Sequence, residues 1–479
     1  MSASRNDRAA GAILGMAAGD ALGAGYEFQP PFDDGFVPHM KGGGPFGFEP
    51  GEWTDDTSMA VPILQALAEG MRLEDESTLD EIAAAWIDWA RDAKDVGAQT
   101  RSVLSSATTG TAADLLRGAK AVHESHGRSG GNGSLMRTAP VALAYLGDED
   151  GLVLAARAVS DLTHFEEDNG DACVLWSLAI RHAILSGELN LRRGLDRLPE
   201  HRRALWTERI GVAERSRPRD FAKNGWVVEA LQAAWSAITT TPVSEELPAR
   251  HLQLALEEAV RGGNDTDTVA AIAGGLLGAR WGSSGIPARW KRTLHGWPGL
   301  TAHDLSRLAV LAVNGGGDDD QGWPSIASMY SPYPALVQHP HDGGVWLGGL
   351  GALENLPEEI DAVVSLCRTG AKQVTREHVE IWLIDKPDPM RNPNLDFVLT
   401  DAADTIAQLR SEGKRVFVHC FQGASRTPSV GALYAAKHRG IPVAQAVDEV
   451  ARALPHGEPA QFLREAVTRL AVRRSGQRQ

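Results

Sequence analysis

Cysteine is scarce: Cys173, Cys367 and Cys420 are the only three in 479 residues. They are far apart and odd in number, which excludes a disulfide framework and fits a reducing cytoplasm. Positive charge is in deficit, with 47 Lys and Arg against 62 Asp and Glu and a formal net charge of −15. That balance argues against nucleic acid as a partner, which needs a basic face, and against an anionic membrane surface. Long apolar runs are missing too. The longest, Val269 to Ala279, is too short to span a bilayer. Ala9 to Ala18 loosely imitates a signal-peptide core, but only Arg5 and Arg8 precede it and Asp20 soon follows. It reads as a helix of the folded protein, a cleaved signal being the alternative. What is present is ordinary for a soluble globular chain: 43% hydrophobic and 23% charged residues, with length for two to four domains.

Two rhythms divide the chain. From about residue 6 to 300 the pattern is helical, as in Leu79, Ile82, Ala83, Trp86, Ile87 and Ala90, which share one helical face. Gly- and Pro-rich loops such as Gln29 to Trp53 separate such stretches. The run Asn314 to Gly322, with three consecutive glycines and three consecutive acids, has the composition of a solvated linker permitting independent motion. After it come short β-rich runs at Val345–Leu347, Ala362–Leu366, Val379–Ile384 and Val416–Val418, with helical stretches at about 396–411, 427–438 and 459–473. Strands alternating with helices predict a mostly parallel sheet. The expectation is an all-α domain over 1–305, a linker over 306–329 and an α/β domain over 330–479.

Val416-Phe417-Val418 leads straight into His419-Cys420-Phe421-Gln422-Gly423-Ala424-Ser425-Arg426-Thr427, where a helix begins. Strand, tight loop and helix N-terminus make an anion site, because successive N–H groups point inward and the dipole favours negative charge. The same potential lowers the pKa of a cysteine at the loop entrance and makes Cys420 a candidate nucleophile. Arg426 can fork two oxygens of a phosphate. Thr427 can hydrogen-bond the sulfur as it leaves a phosphocysteine. This segment resembles the cysteine-dependent dual-specificity and tyrosine phosphatases, over about residues 330–475. The resemblance implies that Phe421, Gln422, Gly423, Ala424 and Ser425 cradle the phosphate. It also implies an upstream aspartate that protonates the leaving oxygen. Asp385, expected at a strand end, is the first choice for this acid, and Asp388 is the reserve.

The helical half carries two acidic clusters, Thr54-Asp55-Asp56-Thr57 and Asp265-Thr266-Asp267-Thr268, each ahead of a helix. Taken singly, each reads as an N-cap. Together they offer hard oxygen donors without Cys or His at ligand spacing, which suits Mg²⁺ or Mn²⁺. These clusters fall among further motifs in order: Gly15 to Gly23 with Glu27, Trp53 to Thr57, Gly131 to Arg137, Thr163-His164 and Gly263 to Thr268. The set resembles the ADP-ribosylglycohydrolase family over about residues 6–300.

The resemblance implies an all-α fold that removes ADP-ribose with two Mg²⁺ or Mn²⁺ ions. Thr54, Asp55, Asp56, Asp265, Asp267 and Thr268 would be the ligands, with Glu27 close to them. Gly131, Asn132, Gly133 and Ser134 would cradle the ADP-ribose phosphates, His164 would be an active-site histidine, and Trp226 would stack on the ligand. Asp55 or Asp56 would move the proton or activate water. The expected function is a cytoplasmic bifunctional hydrolase. Its substrates would be an ADP-ribosylated protein or small molecule, and a phosphorylated protein or other phosphate monoester. The alternatives are an ADP-ribose-binding module that controls a phosphatase, and an active ADP-ribosyl hydrolase carrying a phosphate-binding pseudophosphatase.

Overall fold

The structure is a computed structural model that describes residues 2–325, 331–369, 374 and 376–473. Residues 326–329 of the expected linker, with residues 330, 370–373, 375 and 474–479 of the expected second domain, lie outside the described residues. The first helix, α1 (Ser2–Gly23), contains the run that imitates a signal core. It reaches α2 (Asp55–Ala68) and packs along α3 (Thr266–Trp281), the helix that holds the longest apolar run. Glycine brings α1 and α3 into backbone contact. A Cβ on Gly15 would lie 2.2 Å from the Gly274 carbonyl oxygen, and one on Gly278 would lie 1.8 Å from that of Gly11. No larger residue fits that crossing.

The named elements of the first half are helices apart from a two-residue ladder of His295–Gly296 with Leu300–Thr301. The boundary expected after residue 305 falls inside a helix, α4 (Ala302–Val313). A Thr301/Asp304 capping box starts this helix, and Leu305, Ala309 and Val310 bury one face of it in the first core. Beyond it, the three neighbouring acids are not uniformly solvated. Asp319 is buried, accepts the N–H groups of Gln321 and Trp323, and pairs with Arg368.

Among its described residues the second half holds five strands: β1 (Leu336–His339), β2 (Asp342–Gly349), β3 (Ala362–Ser365), β4 (Glu377–Glu380) and β5 (Val416–Cys420). Their order is β1-β2-β5-β3-β4. Only β1 against β2 is antiparallel; the other pairings are parallel. Every residue of the central strand β5 is buried, as its apolar run predicts for a strand covered on both faces. Helices α5 (Leu395–Ser411), α6 (Arg426–His438), α7 (Val443–Ala453) and α8 (Gln461–Arg473) complete this half, α7 being unanticipated.

The halves interlock. Ala288 is buried in the second core and Phe397 in the first. The Arg292 side chain, nearly buried, donates to Glu377 at 2.6 Å and to Glu412 at 2.8 and 2.7 Å. Asn394 donates to Ser284 Oγ at 2.9 Å and also to the Trp281 carbonyl. Among the described residues no helix is long and apolar enough to cross a membrane.

Candidate functional site

The contact of α1 with α3 brings acids together from opposite ends of the first half. Asp20 of α1 receives the N–H of Thr54 at 2.9 Å, the N–H of Thr57 at 3.0 Å and the Thr57 hydroxyl at 2.6 Å. It therefore caps α2 from outside. Thr54 and Asp265 do occupy N-cap positions, but neither side chain makes a cap hydrogen bond. Neither side chain is spent on its helix N-terminus. The Thr54 hydroxyl donates to Asp56 Oδ2 at 3.1 Å, and the Thr268 hydroxyl to the same oxygen at 3.4 Å.

Two carboxylate groups result, Asp20 with Asp56 and Asp267, and Glu27 with Asp265 and Asp267. Within each, the nearest oxygens lie within 4.8 Å of one another. Burial and mutual repulsion disfavour so many negative charges. Burial first, then Asp265, Asp95, Asp55 and Asp20, push the Glu27 carboxyl up to about 9. Burial first, then Asp95, Asp20 and Asp265, push Asp55 up to about 8. Asp56 and Asp267 lie well above the ordinary carboxylate range for the same reasons. Glu27 Oε2, Asp56 Oδ1 and Asp267 Oδ1 are buried without a hydrogen-bond partner. Buried, crowded, unpartnered carboxylate oxygens fit divalent cations with hard-oxygen preference.

Of the expected ligands, Thr54, Asp56, Asp265, Asp267 and Thr268 converge. Asp55 is buried beside them, but it belongs to neither carboxylate group, and its Oδ2 accepts the Gly97 N–H at 3.4 Å. Sequence reasoning missed Asp20 and Asp95. Asp20 carried a signal, a lone acid in an Ala/Gly helix, whereas nothing local marks Asp95.

The 131–134 loop lies against the same centre. Asn132 donates to Asp265 Oδ2 at 2.8 Å and to the Asn224 carbonyl at 2.9 Å. Asn169 fixes the loop by donating to the Gly131 carbonyl at 2.7 Å and to Ser134 Oγ at 2.9 Å. His164 is buried against it, so close that a Cβ on Gly133 would lie 2.9 Å from the imidazole. Burial, then the positive charge of Arg137, pull the His164 pKa down to about 3, which keeps the ring neutral. Trp226 pairs with Gly131 in a backbone bridge and is 38% exposed, with the Arg209 guanidinium over its ring. An exposed indole beside this loop can stack on a planar group.

In the second half, Cys420 ends β5 and Arg426 opens α6. Gly423 has φ +77°, and a Cβ there would lie 2.8 Å from Gly348, so the turn needs glycine. The loop's carbonyls are tied to the scaffold. Phe421 O accepts from Leu350 N at 3.1 Å, and Ala424 O accepts from Glu458 N at 2.7 Å. Gln422 donates to the Tyr333 hydroxyl.

Asp385 reaches the loop: its Oδ1 accepts from the Ser425 hydroxyl at 2.9 Å and its Oδ2 lies 3.9 Å from Arg426 Nε. It sits in a loop rather than at a strand end, because β4 stops at Glu380. Asn392 pins that loop through Ile384 N, Ile384 O and Lys386 O. Asp388 instead accepts from Met390 N and pairs with Arg391. Two contacts differ from expectation. The Thr427 hydroxyl donates to the Gly348 carbonyl at 3.1 Å rather than to sulfur. Arg426 donates to the carbonyls of Leu366 and Leu383, while its Nε is buried without a hydrogen-bond partner. Both side chains are absorbed by the β2 end and the Asp385 loop.

Residues 1–321 match the family described as ADP-ribosylglycohydrolase. The ADP-ribosylarginine hydrolase Tri1 of Serratia proteamaculans is 29% identical over 289 residues, covering 59% of this chain and 74% of that protein. Human ADP-ribosylhydrolase ARH3 is 26% identical over 341 residues, covering 62% of this chain and 92% of its own. A solved structure of human DUSP28 is 19% identical, covering 31% of this chain and 99% of that one, with a TM-score of 0.27. With the match spanning well over half of its length, this chain belongs to the ADP-ribosylglycohydrolase family.

Proposed function

We propose that the first half is a divalent-metal-dependent hydrolase that releases ADP-ribose from a modified side chain or small molecule, and that the second half is a cysteine-dependent phosphatase. The boundary between them is placed in the 314–322 segment, after α4. The observation that carries the first activity is the convergence of Glu27, Asp20, Asp56, Asp265 and Asp267 beside the 131–134 loop, with three carboxylate oxygens left unpartnered.

Bound there, Mg²⁺ or Mn²⁺ would supply Lewis-acid polarisation of a substrate oxygen. Asp20, Asp56, Asp265, Asp267 and Glu27 would hold the ions, with Thr54 and Thr268 beside them. The rest follows from the chain itself. Asn132 orients Asp265, and the small residues Gly131, Gly133 and Ser134 let backbone approach the two phosphates of ADP-ribose. The neutral His164 donates or accepts one hydrogen bond without adding charge. Trp226 stacks on a ring. Asp55, buried beside these carboxylates but outside both groups, would move a proton to or from the reacting centre.

In the second half, Cys420 Sγ attacks phosphorus, and the bond to the leaving oxygen breaks as that oxygen takes a proton from Asp385. Water then attacks the phosphocysteine, releasing inorganic phosphate and the free thiolate. Arg426 reaches the phosphate oxygens by leaving the carbonyls of Leu366 and Leu383.

The test is release of free ADP-ribose from arginine- and serine-linked peptides with Mg²⁺ or Mn²⁺, repeated with excess EDTA, beside hydrolysis of p-nitrophenyl phosphate. Release that EDTA stops is expected. No release from either linkage by folded protein would favour an ADP-ribose-binding module instead.

A further inference from the structure

A cavity of about 510 Å³ lies between the two halves, and the Cys420 loop forms one of its walls. Phe421, Arg426 and Asp385 line it from the loop side, and Asp7 of α1 with Ser284 line it from the first half. Such a volume lies within the range of small-molecule pockets and is far more than a phosphate group fills. The lining is built rather than incidental. Trp323 and Trp382 meet edge to face with ring centroids 5.5 Å apart, and the Arg368 guanidinium covers both rings at 5.1 and 5.4 Å.

Each element of that wall is held in place. Trp323 Nε1 donates to Thr369 O at 2.9 Å, and Trp382 Nε1 donates to Glu380 Oε1 at 2.7 Å. Arg368 is paired with Asp319 and donates to Gln321. Trp323 is buried and backs Trp382, whose partly exposed indole, its polar edge satisfied, has apolar surface left to offer the cavity. The other wall is polar. Asp7 accepts the N–H and the hydroxyl of Ser284 at 2.9 and 2.7 Å, and Asn394 donates to that hydroxyl. This chain of bonds fixes the first half across the cavity from Arg426.

We propose that this cavity is the leaving-group pocket of the Cys420 loop, and that its substrate is a small phosphate monoester carrying a planar heteroaromatic ring, a nucleotide-class molecule rather than a phosphorylated polypeptide. The proposal rests on the reading that the loop hydrolyses phosphate monoesters, and it deepens that reading. Phosphate sits at Arg426, the ring lies along Trp382, and sugar hydroxyls reach the Asp7–Ser284 wall. A polypeptide substrate would have to thread past α1, whereas a small molecule fits between the halves. The first half thereby contributes residues to the second site.

The test uses the full chain. Steady-state kinetics are measured for adenosine 5′-monophosphate, glycerol 3-phosphate and a phosphotyrosine peptide, and orthovanadate competition reports on the loop itself. The unmodified protein is expected to prefer the nucleotide over both other substrates. Trp382→Ala should raise KM for the nucleotide about tenfold, the size of one lost base-stacking contact, and bring its kcat/KM down toward that of glycerol 3-phosphate. Trp382→Phe, which keeps a ring and guards against misfolding of the alanine variant, should recover most of the preference. Turnover with the peptide preferred, or a nucleotide preference that Trp382→Ala leaves intact, overturns this inference while the phosphatase reading stands. No turnover of any ester together with no vanadate binding overturns both.

Discussion

Asp267→Asn removes the one carboxylate common to both buried groups. Its neighbours lie within 4.8 Å, where two like charges repel by about 3 kcal/mol at an effective dielectric of about 20. Asp267 Oδ1 has no hydrogen-bond partner, so the amide forfeits little on that side. The metal-free variant should therefore be more stable than the metal-free parent, by about 1–3 kcal/mol, because protonation of the cluster already relieves part of the repulsion. With metal the order reverses. A cation at 100 times its Kd stabilises the parent by about 2.7 kcal/mol per site, and the variant loses most of that. Thermal melts in EDTA and then in Mn²⁺ read both effects at about 2–4 °C per kcal/mol. Asp267→Asn should raise the EDTA midpoint and flatten the Mn²⁺ response. A lower EDTA midpoint, or equal Mn²⁺ shifts in both proteins, would refute the reasoning that these carboxylates are arranged for cations rather than for the fold.

Further outcomes are expected. Cys420→Ser should abolish phosphate release, measured with malachite green, while ADP-ribose release by the same protein persists. Asp385→Asn should lower kcat at least about 10²-fold and remove the limb of the pH–rate profile that reports the general acid, whereas Asp388→Asn should do neither. Gly15→Ala places a methyl 2.2 Å from a backbone oxygen and should cost about 1–3 kcal/mol in urea unfolding, with loss of metal binding. Asp401, which accepts the Ala288 N–H at the junction of the halves, is pushed up to about 6 by burial. A carboxyl whose folded pKa is raised binds protons more tightly when folded, so its contribution falls as pH rises from about 4 to about 6. Asp401→Asn should flatten that dependence and stabilise the protein at pH 7 by at most about 3 kcal/mol, read from urea melts across the window.

Legibility in the sequence followed locality. The Cys420 loop is contiguous, so strand, turn and helix start could be read from neighbouring residues, and Gly423 and Arg426 stand where that reading placed them. The two acidic clusters were visible for the same reason. Their meeting was not, because it depends on α1 crossing α3 through glycines that look, in a helix, merely unfavourable. Asp20 was passed over because helical spacing shows which face a residue occupies and not what lies opposite. Asp95 comes near the cluster through an irregular loop that no periodicity describes. The helix α4 is hard to read because Gly and Asp after residue 313 dominate the composition, while only the modest Leu305, Ala309 and Val310 face marks it. The Thr427 and Arg426 contacts depend on β2 and on the Asp385 loop, which are remote in sequence.

The glycine crossing of α1 and α3 also has a bearing on biosynthesis. Helix α1 is made well before its principal partner, residues 266–281, emerges, with nearly all of the first half between them already made. Until then Asp20 has no Asp267 beside it, and the nascent chain has neither complete carboxylate group to hold a cation. Contacts so distant in sequence slow folding, because loop-closure entropy is lost before they form. Capture of a cation there would therefore be a late event, reporting that the ends of the first half have met.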